Sequence, residues 1–275
     1  KELEPFARAW DAEETFPLEA LRKMGGLGLL GMMVPTEYGG AGVGAVSYSL
    51  ALQEIAYACA STAVTMSVTN LSQDPLLKFG TEAQKEKYLV PLAAGEIIGA
   101  FAITEPGAGS DPGGMVMRAE DRGDHYRVNG TKVFITNGGY AKAIILVART
   151  GAEKSGRGLT AFIVEPGLPG FSVGRKEDKM GLRASNTVEL IFEDCLIPRE
   201  NLLAKEGNGL RIAMTALDSG RIGIASQSSG IARACLDEAV QYAKSRRQFG
   251  RTIGSFQALQ WMIADTATEI EAAYW

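Results

Sequence analysis

Hydrophobic positions change their period twice along the chain. From Leu18 to about Ala94 they recur at helical spacing: Leu18, Leu21 and Met24 follow one another at three-residue steps, and Tyr48-Ser49-Leu50-Ala51-Leu52 runs into Ile55-Ala56-Tyr57-Ala58. Gly39-Gly40-Ala41-Gly42 interrupts this region as a loop. Thr81-Glu82-Ala83-Gln84, directly after Gly80, predicts a helix start of the capping-box type. From about Ala100 to Pro198 the signals are those of strands. Tyr126-Arg127-Val128 and Thr131-Lys132-Val133-Phe134-Ile135 flank Asn129-Gly130, whose tolerance of positive φ predicts a hairpin turn. Further strands are expected at residues 143–148, 159–164, 171–173 and 188–192, with Pro-Gly turns between some of them. Such spacing suggests a compact barrel or sandwich. After Gly207-Asn208-Gly209 the helical period returns, with Ile222, Ile224, Ile231, Cys235, Ala239 and Tyr242 as apolar positions, and a second stretch runs from Phe256 to Trp275. No helix-stop signal precedes Trp275, so the last helix is expected to continue past it. There is no internal repeat and no low-complexity segment.

Composition narrows the chemistry. The 275 residues carry 28 Lys+Arg against 32 Asp+Glu, a formal net charge of −4, and are 46% hydrophobic, enough for a sizeable core. No cationic excess exists to displace counterions, which argues against a nucleic-acid partner. The single histidine, His125, excludes a multi-histidine metal site, and its strand-like context reads as a surface or edge position. The three cysteines, Cys59, Cys195 and Cys235, are widely spaced and read as buried thiols in a reducing compartment. No apolar run is long enough to insert into a membrane. The charged start Lys1-Glu2-Leu3-Glu4-Pro5 has no signal-peptide core, so the expected location is cytoplasmic, or the mitochondrial matrix in a eukaryote.

Gly40-Ala41-Gly42-Val43-Gly44 has the glycines of a dinucleotide turn but no preceding strand, and reads as a plain loop. Four clusters carry more. Phe101-Ala102-Ile103-Thr104-Glu105-Pro106-Gly107-Ala108-Gly109-Ser110-Asp111 combines small residues, which let a ligand approach the backbone, with two hydroxyls; its spacing alone leaves a binding loop and a plain turn both open. Phe134-Ile135-Thr136-Asn137-Gly138-Gly139 ends a strand with an aromatic beside a hydroxyl. Asp218-Ser219-Gly220-Arg221 stands at a possible helix start. Arg246-Arg247-Gln248-Phe249-Gly250-Arg251 reads either as a solvated helix end or as an anion clamp. Lys154 and Arg157 are weaker candidates for phosphate contact, and Met32, Met33 and Met66 read as core filler.

The order of these segments, together with Lys179-Met180-Gly181-Leu182-Arg183-Ala184-Ser185 and Asn208-Gly209, resembles the acyl-CoA dehydrogenase family over essentially the whole chain. Gly220-Arg221-Ile222-Gly223-Ile224-Ala225 and Ser255-Phe256-Gln257-Ala258-Leu259-Gln260-Trp261 are most similar to its short-chain, butyryl-CoA-type members. The resemblance implies an α+β fold: an N-terminal α-helical domain (residues 1–98), a middle β-barrel domain (99–206) and an incomplete C-terminal helical bundle (207–275).

It further implies a non-covalent FAD lined by Phe101, Ile103, Thr104, Gly109 and Ser110, with Phe134, Ile135 and Thr136 against the ring. Trp stands in many members where this chain has Phe134. Ser110, Asp218 and Arg221 would contact the acyl-CoA. Arg246, Gln248, Phe249, Phe256 and Gln257 would reach the FAD of a neighbouring subunit in a homotetramer. The implied activity is α,β-dehydrogenation of a short-chain acyl-CoA to the trans-2-enoyl-CoA, with electrons passed to an electron-transferring flavoprotein. No catalytic residue is assigned: the family's basic glutamate is expected beyond residue 275, and the alternative position in some members matches Gly220, which has no side chain. An oxygen-using acyl-CoA oxidase or nitroalkane-oxidase-like enzyme, and a non-catalytic flavin- or CoA-binding fragment, are the alternative readings.

Overall fold

Both faces of the central strand are buried, and this divides the molecule. The structure, a computed structural model, describes residues 2–151 and 158–275; Lys154 and Arg157 lie outside the described residues. Its helical first part comprises α1 (Glu4–Glu13), α2 (Leu18–Gly26), α3 (Gly44–Ala58), α4 (Ala60–Phe79), α5 (Glu82–Gln84) and α6 (Val90–Ala93). Eight strands follow: β1 (Gly99–Ala102), β2 (Arg118–Asp121), β3 (His125–Thr136), β4 (Ala143–Arg149), β5 (Leu159–Val164), β6 (Phe171–Lys176), β7 (Thr187–Pro198) and β8 (Leu202–Leu203). They form one sheet in the order β6-β7-β3-β2-β4-β5-β8, with β1 paired in parallel to β4. The chain closes with the 37-residue α7 (Gly209–Ser245), a short hairpin of β9 (Arg247–Gln248) and β10 (Arg251–Thr252), and α8 (Gln257–Tyr274).

Along β4, alternate side chains point to opposite faces. Ile144, Leu146 and Ala148 join Tyr126, Val128, Phe162, Leu190 and Phe192 in a core enclosed by the sheet's own strands. Ala143, Ile145 and Val147 face the other way and pack with Phe101, Leu89, Leu92, Ile212 and Ala216 against the helices. Each fully buried branched or aromatic side chain contributes about 1.5–3 kcal/mol, so β4 ties the sheet to its own interior and to the helical layer together. A third cluster, around Leu21, Leu30, Leu52 and Met66, holds α2, α3 and α4 to one another. Met32 and Met66 are buried and Met33 packs against them, as expected of core filler.

The capping box at Thr81 forms as the sequence predicts. Gln84 adds a second duty: its Nε2 donates to the carbonyls of Glu200 at 2.8 Å and Leu202 at 3.0 Å, fastening the helical part to the turn after β7 and to β8. His125 begins β3 half-buried beside Asp124, and no helix among the described residues is long and apolar enough to cross a membrane.

Three expectations are corrected. Asn129-Gly130 is not a hairpin turn; it lies inside the single strand β3, where the pairing with β7 slips between Val128 and Gly130. Gly130 has φ +144° and sits against Met117, while Asn129 Nδ2 bonds Asp194 across the sheet at 2.9 Å, so the pair builds a bulge. The actual turn before β3 is at Gly123, where Arg122 N–H donates to His125 O. Asp218 and Arg221 are not at a helix start: α7 begins at Gly209, and Gly220 lies within it against Leu71 of α4. Cys59 and Cys195 are buried, but Cys235 is exposed on α7. Burial pushes the Cys195 thiol up to about 11, which leaves it protonated and inert.

Glu14, at the end of α1, bridges Lys176 at 2.8 Å and Arg183, fastening α1 to the sheet. Hydrogen bonds from Lys176 and Arg183 hold its carboxyl down to about 2, against an ordinary 4.5. The folded value lies below the unfolded one, so the contribution is complete above the ordinary value and disappears as pH falls through about 2. The stability gap between wild type and Glu14→Gln, measured by urea denaturation, is therefore expected to close on acidification from about pH 5 to about pH 2; a gap constant with pH would contradict the assignment.

Candidate functional site

Where β1 ends, the chain runs on beside β3. Val133 N–H donates to Thr104 O at 2.9 Å, so the first and second sequence clusters are neighbours in space. The Thr104 hydroxyl and N–H both lack a hydrogen-bond partner among the described residues, although the residue is half-buried. One residue beyond Val133, the pairing of β3 with β7 slips a second time, with Val133 and Phe134 opposite the single residue Glu189. Phe134 takes φ +59° there, an uncommon conformation for an aromatic residue, and the residue is 62% exposed. Without the bulge, strict alternation would place the next side chains on the wrong faces. With it, Ile135 returns to the sheet core and Thr136 is half-buried beside the exposed ring.

The corner is locked from behind by Asn137. Its Nδ2 donates to Thr65 O of α4 at 3.2 Å and to Gly99 O of β1 at 3.0 Å, and its N–H donates to Asn186 O at 2.8 Å. Asn186 Oδ1 in turn accepts from Gly139 N–H at 2.8 Å. The segment before β7, carrying Lys179 and Ser185, is thereby joined to the same corner, and Lys179 Nζ donates to Ser185 O at 2.6 Å.

Between Thr104 and β2 the chain makes a tight turn, Glu105 N–H to Ala108 O and Ala108 N–H to Glu105 O, each 3.1 Å. Cβ atoms added to Gly107 and Gly109 would meet nothing, so open space stands over this backbone, and Ser110 is exposed beside it. A cavity of about 720 Å³ continues along the loop, lined by Asp111, Gly113, Gly114, Val116, Arg118 and Arg149. A second hollow, of about 860 Å³ between α1, α2 and α3, is lined by none of the candidate flavin- or acyl-CoA-binding residues.

Three charged groups beneath the loop escaped the sequence reading. The Lys132 side chain is fully buried, bonding Glu105 Oε1 at 2.8 Å and Ile103 O at 2.9 Å. Desolvation pushes its amine down to about 8 despite the nearby carboxylate. Glu105 also accepts from the N–H groups of Val116 and Met117, and Arg149 donates to Met115 O and Gly113 O. The one signal in the sequence was Arg149 closing the apolar run 143–148; Lys132, in a strand of mixed polarity, gave none.

The other predicted residues are distributed differently. The Phe101 side chain is in the core between sheet and helices and Ile103 packs at its margin, so Phe101, like Ile135, offers chiefly backbone to a ligand. Asp218 and Arg221 are exposed on α7, 4.0 Å apart. Arg246, Gln248 and Phe249 are exposed at the opposite end of α7 from Gly209, roughly 55 Å along a helix of this length. Phe249 and Gly250, both at positive φ, form the tip of the β9–β10 hairpin, and Arg251 stacks over the Phe256 ring at 4.2 Å. Gln257 begins α8, and the Arg246 guanidinium has no partner among the described residues. The length of α7 separates this hairpin from Gly209, which packs against Leu159 and Thr160 at β5.

The sequence matches three family descriptions in succession: "Acyl-CoA dehydrogenase, N-terminal domain" over residues 1–96, "middle domain" over 100–195 and "C-terminal domain" over 207–275. It is 49% identical over 273 residues to a short-chain specific acyl-CoA dehydrogenase of Clostridium acetobutylicum, covering 99% of this chain and 72% of that protein. It is 50% identical over 274 residues to the mitochondrial short-chain specific acyl-CoA dehydrogenase of Mus musculus, covering 99% of this chain and 66% of that protein. The structure superposes on butyryl-CoA dehydrogenase from Megasphaera elsdenii with TM-score 0.95 at 46% identity, over 99% of this chain and 72% of that one. The chain thus spans about two-thirds to three-quarters of these relatives' length.

Replacing Asn137 by Ala would remove the side-chain donor that links the Thr65 and Gly99 carbonyls and put a non-glycine residue without a stabilising side chain at φ +66°. The expected cost is about 2–4 kcal/mol, measured by urea denaturation. A loss under about 0.5 kcal/mol, the range of an ordinary surface substitution, would show that this bond set does not lock the corner.

Proposed function

The chain belongs to the acyl-CoA dehydrogenase family of FAD-dependent enzymes, and from that premise we propose that it oxidises a short-chain acyl-CoA to its trans-2-enoyl-CoA. Electrons then pass to an electron-transferring flavoprotein. In this reading residues 1–98, 99–206 and 207–275 are three domains, and the flavin lies in the corner between the sheet and the helices behind it. The observation that carries the proposal is the Val133–Thr104 bond, which sets an unpartnered threonine beside the exposed, left-handed Phe134 and the half-buried Thr136.

The residues fit a planar, polar-edged ring. The free N–H and hydroxyl of Thr104 and the hydroxyl of Thr136 supply donors, and Phe134 supplies an aromatic face. Open backbone at Gly107 and Gly109 admits close approach, and Asn137 Oδ1 and Ser185 Oγ are further buried polar atoms without partners. When bound, FAD supplies a two-electron acceptor for the hydride that leaves the β carbon. The chain's own part is to bind and orient. Thr104 and Thr136 donate to the ring edge, Ser110 stands between flavin and acyl-CoA, and Asp218 and Arg221 contact the acyl-CoA from α7.

Arg246, Gln248, Phe249, Phe256 and Gln257 complete the flavin site of another copy of the chain. The roughly 55 Å reach of α7 supports this division, because it separates the hairpin from Gly209 and β5. Arg246 then makes a charge-assisted contact to the FAD of that copy. The carboxylate that takes the α proton is not assigned to a residue of this chain; Gly220 offers no side chain.

With the full-length protein, anaerobic butyryl-CoA is expected to bleach the flavin absorbance, and air alone is expected to restore it slowly. Rapid reoxidation with release of peroxide would instead favour an oxidase. Arg246→Ala is expected to lose FAD on gel filtration, and unchanged flavin content would contradict the cross-subunit role.

A further inference from the structure

Lys132 holds one of the least exposed charges among the described residues, and its three N–H donors are directed at Ile103 O (2.9 Å), Glu105 Oε1 (2.8 Å) and Met115 Sδ (3.3 Å). These contacts bracket Thr104. The carbonyl before it is held by Lys132, its own carbonyl by Val133 N–H, and the N–H after it by Ala108 O. The N–H and hydroxyl of Thr104 itself are without a partner among the described residues. Glu105 passes the constraint onward, because its other contacts are the N–H groups of Val116 and Met117, where the loop returns to the sheet. Desolvating two charges offsets most of their attraction, so a buried pair of this kind is a poor source of stability and a good means of fixing position.

We propose that Lys132 is a positioning residue for the flavin: by holding the Ile103 carbonyl and the Glu105 carboxylate together, it fixes the orientation in which the Thr104 N–H and hydroxyl face the ring. The inference rests on the FAD site proposed above. It assigns to β3 a role on both sides of that site, with Phe134 and Thr136 facing the ring and Lys132 acting through Thr104 from beneath.

The test measures FAD binding to the full-length protein by titration of the apoprotein, with flavin absorbance and thermal melting recorded for each variant. Lys132→Met leaves Glu105 buried without its cation and is expected to lower both the melting temperature and the FAD affinity. The double variant Lys132→Met/Glu105→Gln removes the stranded charge. It is expected to melt close to wild type yet bind FAD about tenfold more weakly, the scale of one lost orienting hydrogen bond, with a shifted flavin absorption band. Glu105→Gln alone keeps the Lys132–Ile103 bond but leaves the buried lysine without its anion, and is expected to lower the melting temperature while losing less FAD affinity than the double variant. A double variant with wild-type affinity and spectrum would overturn the proposal. So would a Glu105→Gln variant that loses as much affinity as the double, because the effect would then belong to the loop and not to the lysine. A wild-type apoprotein that takes up no FAD would overturn the flavin reading itself, a different outcome from a failure confined to the variants.

Discussion

A single backbone hydrogen bond, from Val133 N–H to Thr104 O, sets the geometry on which the site depends. It extends the β1 exit along β3 for one step past regular pairing and stops there, leaving the next donor of Thr104 unused. In water such a bond is worth only about 1 kcal/mol. Its importance lies in what surrounds it. β1 is fixed in parallel register with the fully buried β4, and β3 is fixed to β7 over most of its twelve residues. Two elements that cannot slide meet at one point, and the polar groups left over at that point are displayed in fixed positions. Preorganisation of this kind lets donors act without first being reordered.

The bulge at Val133–Phe134 supplies the second half of the arrangement. A regular strand would alternate Phe134 and Ile135 between its faces and carry the ladder on unbroken. The extra residue instead turns the phenyl ring out at φ +59° while Ile135 regains the core. The strain is offset by the bonds of Asn137 to Thr65, Gly99 and Asn186, which pin the strand end to a helix, a strand and the following loop together. Strained residues of this kind cluster at ligand-binding corners, and here the strain stands next to exposed, unpartnered groups.

The sequence revealed the layers well and the local turns poorly. Helix, sheet and helix were legible because hydrophobic period is set by which faces are buried, and residues 143–148 and 159–164 are apolar because both faces of β4 and β5 are covered. Asn129-Gly130 misled because positive φ serves a bulge as readily as a hairpin, and only the partner strand decides between them. Asp218 was read as a helix start from charge alone, whereas α7 had begun nine residues earlier under no strong cap. The Lys132–Glu105 pair was hidden for a different reason: a charge in a strand looks solvent-facing until its neighbours on other elements are known. The cluster from Thr104 to Asp111 was visible, but its proximity to Phe134 depends on a contact between residues 29 apart in sequence, Thr104 and Val133, which spacing does not encode.

That proximity is also what a solution measurement can read directly. Hydrogen exchange on the full-length protein, compared with and without FAD, follows the amides of residues 103–111 and 133–137 separately. If the two segments form one binding surface, the Thr104 amide, free in this structure, becomes protected together with those of Phe134 to Asn137 when the flavin binds. Protection confined to one segment, or located away from both, would contradict the claim that the β1 exit and the β3 bulge jointly hold the ring.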